Sequence, residues 1–118
     1  MNISQLSEKI NLSIHTLRYY EKLGLLKGIQ RNSSGHRVYT AGDLLWLEFI
    51  LRLKETGMPL NDILEYSLLR DLGVSTNVNR QMILENHRAK LQAKIELEIQ
   101  HLTALNKKIE YYQSQNKS

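Results

Sequence analysis

HTLRYYEKLGLLKGIQRNSSGHRVYT, residues 15–40, is the stretch that decides the fold. Its first half repeats at helical spacing. Leu17 and Tyr20 share one side with Ile14 at the edge, and His15, Arg18, Tyr19 and Lys22 share the other. Ser13 stands where an N-cap belongs and Gly24 where a helix stops, so a helix is predicted over 14–23. Asn32, Ser33, Ser34 and Gly35 are turn formers, and His36, Arg37, Val38 and Tyr39 then alternate like a short strand. By the period of two, Arg37 and Tyr39 project from one side of that strand. The whole stretch offers donors, positive charge and aromatic faces, with Glu21 as the one acid among Arg18, Lys22, Lys27, Arg31 and Arg37. It carries no paired nucleophile and base and no ligand cluster. Such a surface suits a polyanion and argues against an enzyme.

Upstream, Ile3, Leu6 and Ile10 mark another short helix, with Ser4 as the expected cap and Asn11 able to take the left-handed conformation that ends it. Two helices joined at the tight INLS turn and followed by a hairpin make a winged helix-turn-helix. Downstream, Thr40 is the expected cap of a third helix. Asp43 supplies negative charge to its first turn, and Leu44, Leu47, Ile50, Leu51 and Lys54 follow one face up to Gly57. Pro59 opens a fourth, expected near 60–68 with Ile63 and Leu64 inward. Trp46 reads as a packing anchor rather than an effector cage.

From residue 78 to 112 there is neither proline nor glycine, and a single long helix is expected. One seam runs Leu84, Arg88, Leu91, Ile95, Glu98, Leu102, Leu105, Ile109, Tyr112 in a 3-4 alternation that Arg88 and Glu98 interrupt. A lone helix on so small a body cannot bury this seam, so Leu84, Leu91, Ile95, Leu102, Leu105 and Ile109 are the expected contacts of a homodimer. The resulting division is 1–70 for the winged domain, 71–77 for a linker, 78–113 for the dimerisation helix and 114–118 for a fraying tail.

The 118 residues carry 16 Lys+Arg against 12 Asp+Glu, a net charge of +4 that fits an anionic partner. There is no cysteine, which excludes disulfides and thiolate metal sites. His87 and His101 lie too far apart along one helix to share a metal ion, and no metal or cofactor is expected. No apolar run approaches a membrane span and the first residues lack a signal-peptide pattern, so a cytoplasmic protein is the expectation.

ISQLSEKINLSIHTLRYYEKLGLL, RNSSGHRVYT and LKETGMPLNDI, in that order and ahead of a coiled-coil helix, resemble the MerR family of bacterial transcription regulators. The resemblance covers nearly the whole chain. It implies a mainly α fold: a winged helix-turn-helix DNA-binding domain and an antiparallel coiled-coil dimer. It further implies a pseudo-palindromic promoter operator that is distorted on binding, with RNA polymerase as a partner at the promoter. Mapped onto this chain, the DNA contacts implied are His15, Thr16, Arg18, Tyr19, Tyr20, Arg31, His36, Arg37, Tyr39 and Lys54. Tyr20 is read as core with its hydroxyl at the edge. Tyr19 is read as an exposed contact, with an inward packing ring as the alternative. Asn11 stands where the family commonly has glycine, and His36 where a tyrosine is common. WLEFILRLKETGMPL is similar to the branch associated with aldehyde or thiol stress, but Arg52 stands where that branch carries its cysteine. An architectural or excisionase-like DNA-binding protein is the alternative function, and a coiled-coil adaptor the third.

Overall fold

A computed structural model describes residues 1–117. The chain runs α1 (Ile3–Ile10), α2 (Ile14–Leu23), β1 (Gln30–Arg31), β2 (Arg37–Val38), α3 (Ala41–Glu55), α4 (Leu60–Leu72), a 3-10 turn at Val74–Thr76, and α5 (Asn77–Asn116). It divides into two units, Met1–Arg80 and Gln81–Ser118.

The first unit is shaped by its caps. α1 starts from Asn2, not Ser4. The Asn2 side chain accepts from the Gln5 backbone at 2.8 Å and the Gln5 side chain accepts from the Asn2 backbone at 2.9 Å. This reciprocal pair satisfies two of the N–H groups that a helix start leaves open. Asn11 ends α1 at φ 57°, ψ 45°, and the Ser7 hydroxyl donates to the Leu12 carbonyl across the turn. Ser13 then caps α2 through the Thr16 N–H at 3.1 Å. Thr40 caps α3 as expected, and Asp43 answers it: Thr40 Oγ1 accepts the Asp43 N–H at 3.1 Å and Asp43 Oδ2 the Thr40 N–H at 2.9 Å.

Leu6, Leu17, Leu47, Ile50 and Ile63 meet in the core, joined by Tyr20, Leu25, Leu26, Leu53 and Met58. Leu53 was not on the expected face of α3. The run LLWLEFILRL is apolar on several sides, so the buried phase is set by packing against α1 and α4 rather than by the pattern. α4 extends to Leu72, beyond the expected end at 68, and buries Tyr66 and Ser67 beside Ile63, while Leu64 is only half-buried. Trp46 is the expected anchor. Its Nε1 donates to the Leu25 carbonyl at 2.6 Å, its ring stacks on Tyr66 with centroids 6.1 Å apart, and the Arg70 guanidinium lies 4.0 Å from its centroid.

Much of the expected 71–77 linker is ordered structure. Gly73 takes φ +90° to leave α4, a value that L side chains rarely adopt. Thr76 is buried, with its hydroxyl 2.6 Å from the Leu69 carbonyl and 2.8 Å from that of Gly73. Arg80 donates back to Thr76 Oγ1 at 3.1 Å and also to Asn77.

α5 has 40 residues, about 60 Å at 1.5 Å per residue. It continues through 114–116, where fraying was expected; residue 118 lies outside the described residues. No described side chain of α5 is buried. Ile95, Leu102, Leu105 and Ile109 are each at least half exposed, as are Leu97 and Ile99 off the seam. Among the described residues no helix is long and apolar enough to cross a membrane.

Candidate nucleic-acid interface

α2 and the β-hairpin build the basic face from two directions. Capping by Ser13 fixes where α2 starts, and burial of Leu17 and Tyr20 fixes its rotation. His15, Arg18 and Lys22 are left exposed, and Tyr19 is 48% exposed, which settles the outward reading of that ring. Thr16 is half-buried and its hydroxyl shares a hydrogen bond with Ser13 Oγ at 2.9 Å, so it supports the cap as well as facing the helix front.

The hairpin pairs Gln30 with Val38 and Arg31 with Arg37, antiparallel. Its turn is held by Asn32, whose side chain accepts the Ser34 and His36 N–H groups at 3.0 Å each. Gly35 completes it at φ +79°. Arg31 reaches across its own turn and donates to the Gly35 carbonyl at 2.8 Å. That bond stiffens the wing while leaving the guanidinium at the surface.

A groove of about 660 Å3 opens between these elements, and Arg18, Arg31, His36 and Arg37 all line it. Its far wall is the start of α1, with Asn2, Ser4 and Gln5. The sequence marks none of the three as a DNA contact: Ser4 is expected only as a helix cap, and Asn2 and Gln5 carry no pattern that marks them. A second hollow of about 410 Å3 is lined by Arg18, Glu21, Lys22 and Arg37. His15, Thr16, Tyr19 and Lys54 line neither.

Two sequence expectations change here. Tyr39 does not project beside Arg37. It is 2% exposed and among the largest fully buried side chains. β2 ends at Val38, so strand alternation no longer applies at Tyr39. Its backbone pairs instead with Met1, donating to the Met1 carbonyl at 2.7 Å and accepting from the Met1 nitrogen at 2.8 Å. Burial, with the neighbouring Glu21 carboxylate second, pushes the Tyr39 phenol above its ordinary value. Tyr39 is therefore a core residue beneath the basic face, not a clamp upon it. The second change concerns Tyr20 and Lys54. The Tyr20 ring is core, as read, but its hydroxyl accepts from Lys54 Nζ at 3.1 Å, and that ammonium sits 5.6 Å from the ring centroid. Tyr20 holds Lys54 in place at the surface.

Arg37 is exposed, and its Nε donates to Glu21 Oε1 at 2.8 Å. That hydrogen bond and the carboxylate's charge push Arg37 further up, so it stays charged at any working pH. Among the described residues no group of three or more His, Asp or Glu is placed to hold a metal ion.

The model of the MerR HTH family regulatory protein matches residues 1–68, and the MerR DNA-binding model matches 44–112. An uncharacterized HTH-type transcriptional regulator of Bacillus subtilis (strain 168), YyaN, is 39% identical across 79% of this chain and 76% of its own length. HiNmlR, described as a MerR family regulator lacking the sensor domain and solved bound to promoter DNA, superposes with a TM-score of 0.83 at 34% identity, covering 96% of this chain and 86% of that one. A MerR family transcriptional regulator from Bacillus thuringiensis superposes with a TM-score of 0.79 at 33% identity, covering 92% and 96%. All three are regulators by their own descriptions, which sets the architectural alternative aside.

Proposed function

The chain belongs to the MerR family, and from that premise we propose how its own residues hold promoter DNA. The protein is a DNA-binding transcriptional regulator with the winged helix-turn-helix and long C-terminal helix of the family. In our reading, residues 1–70 carry the DNA and 78–113 carry the dimer. α2 enters the major groove, where Arg18 is aimed at a base edge and His15, Thr16 and Tyr19 flank it. Arg37, Arg31 and His36 grip the phosphate backbone beside it, and Lys54, held by Tyr20, adds a further phosphate contact. The observation that carries this reading is the groove that brings Arg18 from α2 together with three cationic or imidazole side chains of the wing. A homodimer doubles the contacts over a pseudo-palindromic operator. Control of transcription then brings in RNA polymerase at the same promoter, in the cytoplasm, with no catalytic step by this chain.

The test is a salt titration on a preferred duplex and on a scrambled one. Arg18→Ala should cost about 1–3 kcal/mol on the preferred duplex and relax its sequence preference at one position per half-site. Arg37→Ala should weaken both duplexes and flatten the log–log salt slope by about 2 units, since a dimer uses it twice at roughly 0.9 each. An unchanged slope for Arg37→Ala would remove the phosphate role, and an equal loss on both duplexes for Arg18→Ala would remove the base-reading role.

A further inference from the structure

We propose that Glu21 sets the sequence discrimination of this interface, by fixing the direction of Arg37 and by repelling phosphates that arrive in any other register. The inference rests on the DNA-binding reading above. Glu21 lies on α2, the helix that presents Arg18 and Lys22, whereas Arg37 comes from β2. Their side chains meet at 2.8 Å, with Arg37 43% and Glu21 22% exposed.

The geometry of that bond matters more than its strength. An exposed ion pair of this kind stabilises a fold little. The bond to Glu21 uses Nε, on one edge of a planar, five-donor fork. Nη1 and Nη2 make no hydrogen bond to another described residue, so the far end of the guanidinium is free and aimed by the carboxylate. A phosphate can therefore be bound at that end without breaking the pair.

The same carboxylate has a second effect. It lines the hollow formed with Arg18, Lys22 and Arg37, an anion set into an otherwise cationic wall. Sequence-independent attraction to DNA is electrostatic, so Glu21 subtracts from it whenever a phosphate settles against the carboxylate rather than at the free end of Arg37. Only a duplex that places a phosphate at the free end of Arg37 recovers the loss through a charge-assisted bond. Glu21 thus lowers random binding more than it lowers binding at the right site. Glu21 is a positioning residue for Arg37 and, through its charge, a specificity determinant.

Full-length wild type, Glu21→Gln and Glu21→Ala would be titrated on two duplexes. One is the duplex that wild type recovers from a randomised library, and the other is a scrambled version of it. Both variants should bind the scrambled duplex about tenfold more tightly. Repulsion at ~6 Å in a water-like dielectric amounts to about threefold per protomer, and a dimer carries it twice. Gln keeps an oxygen that can accept from Nε, so Glu21→Gln should leave affinity for the recovered duplex within about threefold of wild type. Glu21→Ala loses the aim of Arg37 and should lose about threefold to tenfold there. Discrimination should fall in both. Unchanged scrambled-duplex affinity in Glu21→Gln would overturn the proposal, and so would an equal loss on both duplexes, which is what a mere brace between helix and wing predicts. Circular dichroism checks folding, and Glu21→Gln decides the matter alone should the alanine variant unfold. A wild type that recovers no preferred duplex would overturn the DNA-binding reading and this inference with it. A preferred duplex whose discrimination survives both substitutions overturns this inference only.

Discussion

Replacing Ile95 and Leu102 by glutamate in full-length protein should convert a dimer into a monomer and raise the dimer dissociation constant at least ~1000-fold. The two side chains are 50% and 56% exposed on a helix with no buried described residue, so the single chain leaves about half of each uncovered. Fully burying a Leu or Ile is worth about 1.5–3 kcal/mol, and roughly half of that remains to be gained at each site on pairing. Putting a carboxylate there removes the gain and adds the larger cost of burying a charge, four times over in a symmetric dimer. Glutamate is a good helix former, so α5 itself should survive, and circular dichroism should show nearly unchanged helicity. Binding to a two-half-site operator should then fall towards the non-specific level, because a monomer engages one half-site at a time. Sedimentation that still finds a dimer at micromolar concentration would place the dimer contact elsewhere than on the 3-4 seam.

The long helix was legible in the sequence because an unbroken run without proline or glycine is a local signal, whereas the pairing of its 3-4 seam is what the substitution above tests. Helix ends were legible for the same reason. Asn11, Ser13, Gly24 and Thr40 each act on residues within four positions, and α2 has the bounds that Ser13 and Gly24 imply. Where local chemistry offered two solutions the sequence could not choose. Ser4 and Asn2 are both capable caps, and Asn2 prevails because Gln5 stands three residues later to close the reciprocal box. The phase of α3 was ambiguous because its apolar residues spread beyond one face even with Glu48 and Arg52 marking the outside, which hid Leu53. The interface divided along the same line. The exposed front of α2 followed from helical periodicity. The pairing of Glu21 with Arg37 spans 16 residues and two elements, and no local pattern contains it. Tyr39 failed for a related reason: alternation holds only while a strand lasts, and this one lasts two residues.

Tyr39→Ala should therefore strongly destabilise the first unit rather than loosen its grip on DNA. The side chain is 2% exposed, and emptying such a site costs about 3–5 kcal/mol for an aromatic residue. Small domains hold about 5–15 kcal/mol in total, and each kcal/mol moves the melting temperature by roughly 4–8 °C at this size, so a drop of more than ~12 °C is expected. Tyr39→Phe keeps the ring and removes the hydroxyl. It should leave the salt slope of DNA binding unchanged at neutral pH, unlike Arg37→Ala. It also isolates an alkaline effect. In the folded protein the Tyr39 phenol titrates above its ordinary value of 10.0, because burial first and Glu21 second disfavour the phenolate. Below pH 10 the phenol is neutral in folded and unfolded chains alike, and its contribution is fully present. As pH rises through and beyond 10 the unfolded chain releases a proton that the folded chain retains, and that contribution is lost. Wild type should thus lose stability above about pH 10 faster than Tyr39→Phe, with the other tyrosines common to both. Urea unfolding of the two proteins from pH 7 to 11 measures the difference. Parallel curves would mean that Tyr39 ionises as freely folded as unfolded. A well-folded Tyr39→Ala with a flattened salt slope would return this tyrosine to the surface, as a phosphate contact after all.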